Sequence, residues 1–166
     1  MSIAVQGSEP ICAFRCGGVL YGVHAGSVCE VLPWRQPTPV PLVPPQVAGM
    51  IPYHGEILAV LRLSSILDLS AVSRNGAMLV LEDPSTAERF ALAIDSVEQV
   101  LSMSRAQVEL KPPSLTQHSQ PFFSRTLTGP GEPVILLNVS SLTPDSLTNK
   151  LFTGSEPRVE GEPCAP

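Results

Sequence analysis

Cys12, Cys16, His24 and Cys29 fall within one short stretch near the start of the chain, and a further imidazole, His54, stands in GMIPYHGE (49–56). Thiolates and imidazoles together hold soft divalent metals, and a thiol beside an imidazole can act as a nucleophile. The spacing argues against a metal. Zinc knuckles pair one C-x2-C with a second ligand pair, whereas this chain has C-x3-C inside ICAFRC, whose alternation turns both thiols to the same side. No G-x-S-x-G elbow, glycine-rich phosphate loop or H-E-x-x-H pattern occurs. The expectation is a protein with no catalytic residues, no metal and no cofactor. The competing reading is a small cytosolic thiol- or metal-binding protein, or an enzyme, using Cys12, Cys16, His24 and Cys29.

Composition narrows the field further. The chain has 166 residues, 43% hydrophobic and 15% charged, with a formal net charge of −5. That suffices to bury a core, and the length favours one compact unit or two small ones. The ten Lys and Arg residues form no basic run and few aromatic residues accompany them, so nucleic acid is set aside as a partner. The N-terminus lacks a secretory pattern, and no apolar run reaches the roughly 18 residues of a membrane span. A cytoplasmic location with reduced thiols is expected.

The elements that must position these residues read as strands. ICAFRC alternates, Gly17 and Gly18 can supply the positive φ angles of a tight turn, and VLYGVH returns. SVCEVL, EILAVLRL, AMLVLED, RFALAI, SVEQVL and PVILLNV continue the pattern, divided by Pro, Gly, Asn or Asp. Helix is confined to short pieces: SSIL (64–67), and the segment after Thr143, where Thr can cap, Pro can open the helix and Asp follows in the first turn. PTPVPLVPP (37–45) has the composition of a polyproline ligand, but its place between two strands makes it a rigid connection.

The two halves of the chain resemble each other. YGVHAGSVCEVL (21–32) aligns without a gap on FALAIDSVEQVL (90–101), and GEILAVLRLSSI (55–66) on GEPVILLNVSSL (131–142). The shared order predicts two small barrels on one plan, since closure spares short strands exposed edges. Phe14, Tyr21, Val23, Val60 and Leu63 are expected in the first core, and Phe90, Leu92, Leu136 and Val139 in the second. A seam is expected near 70–76, and the Gly-, Pro- and Glu-rich segment 153–166 is expected to be a disordered tail.

YGV, VCEVLP, VPLVPPQVAGMI and HGEILAVLRLSSIL in the first half, followed by LVLEDP, FALAIDSVEQVLSM, VELKPP and GEPVILLNVSSL, resemble the CheW-like domain family of chemotaxis adaptors. The resemblance implies a mostly β fold of two pseudo-repeated SH3-like five-stranded β-barrel subdomains with short helical pieces. The domain would cover residues 10–152, with a first barrel of about 10–70 plus a terminal segment and a second of about 76–142. It further implies a non-enzymatic adaptor that couples the helical tip of a methyl-accepting chemoreceptor to the regulatory domain of a CheA-type histidine kinase, meeting the membrane only through the receptor. Glu30 matches the family's usual glutamate. His54, in PYHG (52–55), stands where the family has the arginine of Asn-Leu-Arg-Gly, and Arg62 where it commonly has an aspartate. The resemblance thus implies a Glu30–His54 pair and a partner-binding set of Val28, Glu30, Val31 and His54. The plain alternative for His54 is a polar residue of a turn.

Overall fold

A computed structural model describes residues 9–69, 76–103, 108–109, 122–129 and 131–153. Most of the expected seam and the tail from 154 onward lie outside the described residues. The chain runs β1 (Glu9–Cys16), β2 (Val19–His24), a 3-10 turn (Ala25–Ser27), β3 (Val28–Pro33), β4 (Val47–Tyr53), β5 (Glu56–Arg62) and α1 (Leu63–Ile66). It continues through β6 (Ala77–Glu82), β7 (Arg89–Ile94), β8 (Ser96–Met103), β9 (Val108–Glu109), β10 (Phe123–Leu127), β11 (Val134–Leu137), α2 (Val139–Leu142) and α3 (Pro144–Thr153). The fold is mostly β, in two SH3-like sheets; α1 and α3 fall at the expected places, while α2 is a further short helix that was not expected. Thr143 caps α3, its Oγ1 accepting the Ser146 amide at 3.2 Å, with Pro144 and Asp145 in the first turn.

One sheet has the order β8-β1-β2-β11-β10-β9 and the other β3-β6-β7-β5-β4. The sheets do not follow the halves of the sequence. The β1–β2 hairpin sits among strands of the second half, and the β6–β7 hairpin among strands of the first. This differs from barrels at 10–70 and 76–142, and the cause is local: Ala25–Ser27 after β2, and Asp95 after β7, are short links that carry the third strand of each half into the other sheet. A repeat dictates the order of elements within each half but not which half a strand pairs with. The exchange is reciprocal. Each central hairpin joins the last strand of the opposite half in parallel, β2 with β11 and β7 with β5. Even the irregularities repeat, with a bulge facing β1 at Ala13/Phe14 and one in β3 at Val28/Glu30. Among the described residues neither ladder closes on itself, so β3, β4, β8 and β9 are edges.

The cores follow the exchange. Alternation along β1 sends Cys12, Phe14 and Cys16 into a central cluster and Ile11 and Ala13 into a smaller one. Along β6 and β7, Leu79, Leu81, Phe90, Leu92 and Ile94 enter the same central cluster, while Met78, Val80, Ala91 and Ala93 line a third. These strands are buried on both faces, which explains their near-continuous apolar runs. Of the residues expected in separate cores, Phe14, Tyr21, Val23, Leu63, Phe90, Leu92 and Val139 share the central cluster. Only Val60 and Leu136 lie in the smaller ones. Buried Asp83 ties the β6–β7 turn to α2, accepting from Ser140 Oγ at 2.7 Å, Thr86 Oγ1 at 2.8 Å and the Ser85 amide at 3.1 Å.

Candidate partner-binding surface

His54 and Gly55 are the two central residues of the β4–β5 hairpin, whose last cross-strand pair is Tyr53 and Glu56. Both have positive φ, +44° and +80°, the requirement of a tight type I′ connection. The turn projects the His54 ring, 72% exposed, toward β3. There His54 Nε2 lies 3.2 Å from Oε2 of Glu30. Since the carboxylate only accepts, the Nε2 proton must donate. The residues joined by resemblance are thus joined in space.

A second donor was not among the expected site residues. The Tyr53 hydroxyl donates to the same Glu30 Oε2 at 2.9 Å, and its ring meets the His54 ring edge-on at 4.4 Å between centroids. The signal in the sequence was the adjacency of Tyr to His in PYHG. These donors hold the Glu30 carboxyl below the ordinary glutamate range, the Tyr53 hydrogen bond first and His54 next, with Arg35 adding a smaller attraction. Glu30 is on edge strand β3 and Tyr53 on edge strand β4, at opposite ends of the ladder, so the triad bridges the two edges with side chains where no backbone bonds do.

The register sorts the other expected residues. Val28 pairs with Leu81 and Val31 with Leu79, both central-core residues, whereas Glu30 pairs with Val80, which faces the opposite side. The bulge at Cys29 therefore puts Val28 and Val31 on one face of β3 and Glu30 on the other. Val28 is half-buried against the central cluster, while Val31 is 45% exposed. In the other sheet Val100 occupies the equivalent place on β8 and is 65% exposed. Its neighbour Gln99, matching Glu30, carries no charge.

The two halves also share a bridge that the repeated Gly-Glu announces. Glu56, at the start of β5, receives Arg89 of β7 at 3.3 Å, and Arg89 also pairs with Glu82 at 2.7 Å. Glu132, at the equivalent place, receives Arg15 of β1 at 2.6 Å, and Arg15 also pairs with Glu98 at 3.2 Å. Arg62 has a different task from a surface acid: its Nη1 donates to the carbonyls of Pro45 at 3.1 Å and Val47 at 3.4 Å, clamping the base of the proline-rich connection. The sequence PTPVPLVPP is thus the rigid β3–β4 link, pinned also by paired backbone bonds between Thr38 and Met50 at 2.9 Å.

The residues of the competing reading are dispersed. Cys12 and Cys16 are buried in the central core, Cys29 is exposed at the bulge of β3, and His24, at the end of β2, lies 3.5 Å from Glu9. Among the described residues no three His, Cys, Asp or Glu side chains are arranged to hold a metal ion. Burial pushes the Cys12 thiol above its ordinary range, and partial desolvation together with the nearby Glu82 and Glu56 carboxylates does the same for Cys29, away from the reactive thiolate. Among the described residues no helix is long and apolar enough to cross a membrane.

Comparison with known proteins agrees with the architecture. The scaffolding protein TtCheW from Thermoanaerobacter tengcongensis is similar in structure, with a TM-score of 0.70 at 22% identity, over 79% of this chain and 89% of that one. No curated protein matches in sequence. The CheW-like domain model matches residues 10–146, which takes in both central hairpins, all four edge strands and the Glu30–Tyr53–His54 triad. The chain belongs to the CheW-like domain family.

Proposed function

We propose that this chain is a non-enzymatic chemosensory adaptor that joins the cytoplasmic helical tip of a methyl-accepting chemoreceptor to the regulatory domain of a CheA-type histidine kinase. It acts in the cytoplasm and meets the membrane only through the receptor. The observation that carries this reading is the family match across residues 10–146, which supports a chemotaxis scaffold or adaptor. The surface supports the two-partner part. One sheet offers an exposed valine on an edge strand backed by a charged triad, and the other offers the same valine without the charge, an asymmetry suited to two unlike partners. An adaptor of this kind works by differential packing: a change in how the receptor seats on the protein shifts the conformational equilibrium of the kinase held beside it.

The partner-binding residues in this reading are Val31, Glu30 and His54, with Val28 supporting the strand from beneath. The test is binding of the purified chain to the kinase regulatory domain and, separately, to a receptor-tip fragment from the same genome, by calorimetry. Saturable binding to both is expected, and binding to neither would refute the reading.

A further inference from the structure

Glu30 has two carboxylate oxygens, and both internal donors converge on one of them. The Tyr53 hydroxyl at 2.9 Å and His54 Nε2 at 3.2 Å each reach Oε2, and among the described residues no donor reaches Oε1. The two donors differ in how firmly they are held. Tyr53 is half-buried, its ring packed against the cluster that contains Leu32, Ile51 and Leu58, whereas the His54 ring is 72% exposed. A donor locked by packing costs little further side-chain entropy to hold in place, and a freely exposed one costs more. The phenol also keeps its proton across the neutral range, while an imidazole gains or loses charge there.

We infer that Tyr53 is a positioning residue of the partner surface: by fixing Oε2 of Glu30 it presents Oε1 outward as the acceptor for a lysine, arginine or amide donor on the protein partner. This rests on the adaptor reading above. A carboxylate pinned at one oxygen, with the other free, is arranged for a single directed, charge-assisted hydrogen bond, since its orientation is set before the partner arrives. His54 adds a second donor on the same oxygen from a more exposed position. The other groups acting on the site are Arg35, Cys29 and Arg89, of which Arg35 and Arg89 carry positive charge. The hydrogen bond to Glu30 is also the first cause that holds the Tyr53 phenol above its ordinary range, as expected for a donor that keeps its proton for the carboxylate.

The test compares wild type, Tyr53→Phe and His54→Gln by two readouts. The first is the titration midpoint of the Glu30 side-chain carboxyl, followed by carbon-13 NMR on the isolated protein. The second is affinity for the kinase regulatory domain and for the receptor tip at pH 6 and pH 8. Tyr53→Phe should raise the Glu30 midpoint more than His54→Gln does and weaken one partner at least about fivefold at both pH values, as loss of a preorganised charged contact does. His54→Gln should weaken that partner less than Tyr53→Phe does. A Glu30 midpoint that stays put in Tyr53→Phe overturns the inference, as does a shifted midpoint with unchanged affinity for both partners. If the wild-type chain binds neither partner, the adaptor reading fails instead, and the NMR titration still separates Tyr53 as the fixing residue from Tyr53 as mere packing.

Discussion

Glu30 keeps its charge to lower pH than an ordinary glutamate because Tyr53 and His54 donate to it, and the sign of the consequence follows from that depression. A carboxyl depressed on folding contributes stability that is fully present above its unfolded midpoint and is lost as pH falls through the folded one. The triad should therefore support the fold at neutral pH and fade under acid, with Tyr53→Phe moving the onset of acid loss upward; urea midpoints measured in steps from pH 6 to 3 test this. Asp83 offers a larger effect, since it is 3% exposed. Burial alone would raise its carboxyl, but donation from Ser140, the Ser85 amide and Thr86 outweighs burial and holds it low. Asp83→Ala removes the buried acceptor shared by Ser140, Thr86 and the Ser85 amide and should destabilise by about 1 to 3 kcal/mol. Calorimetric melting measures that loss, and an unchanged melt would contradict the role. At this scale Glu30 and His54 were legible from the family resemblance. Tyr53 was not, because nothing in a strand pattern says which side chain at a hairpin end reaches across to another edge.

Edge strand β3 carries the proposed partner-binding residues, and its bulge sets which way each valine faces. Val31→Glu places a charge on an exposed position and should leave melting nearly unchanged while weakening a partner by about 2 to 4 kcal/mol. Val28→Glu drives a charge against the central core and should lower the melting temperature, so it cannot serve as a surface probe. An unbroken period of two would put Val28 beside Glu30 on one face and Val31 on the other; the one-residue bulge, which that pattern hides, brings the two valines to the same face. The β3–β4 connection shows the opposite case, in which the prolines announced its rigidity correctly. What they did not announce is Leu42, fully exposed at its tip with φ of +62°, a conformation that costs an ordinary side chain about 1 to 2 kcal/mol. Leu42→Asn, which tolerates that conformation, should raise the denaturation midpoint; a fall would mean that Leu42 is held by contacts of its own. Gly49, against Thr38 of the same connection, admits no side chain, since a Cβ would meet the Thr38 carbonyl oxygen.

The whole molecule is a duplication whose halves have traded hairpins. The repeat was legible down to its Gly-Glu heads and Ser-Ser feet, and in the structure these become the Glu56 and Glu132 bridges and the matching α1 and α2 turns. The trade was illegible, because sequence similarity between halves is the same whether each sheet is built within a half or across both. It has a direct consequence for folding: residues 9–69 contain β1 and β2 without their partners β8 and β11, and β3 and β5 without β6 and β7. Neither half should fold alone, and a mixture of the two should recover the sheet signal in circular dichroism; one half folding by itself would contradict the exchanged pairing. An intertwined body of this kind suits an adaptor, since partners seated on opposite sheets bear on one shared central core. The most direct measurement of the adaptor claim is sedimentation of the kinase regulatory domain and the receptor tip with and without this chain. The expected result is a ternary complex that forms only when the chain is present and is lost in Val31→Glu with melting unchanged. Two mutually exclusive binary complexes, or a ternary complex indifferent to Val31→Glu, would contradict it.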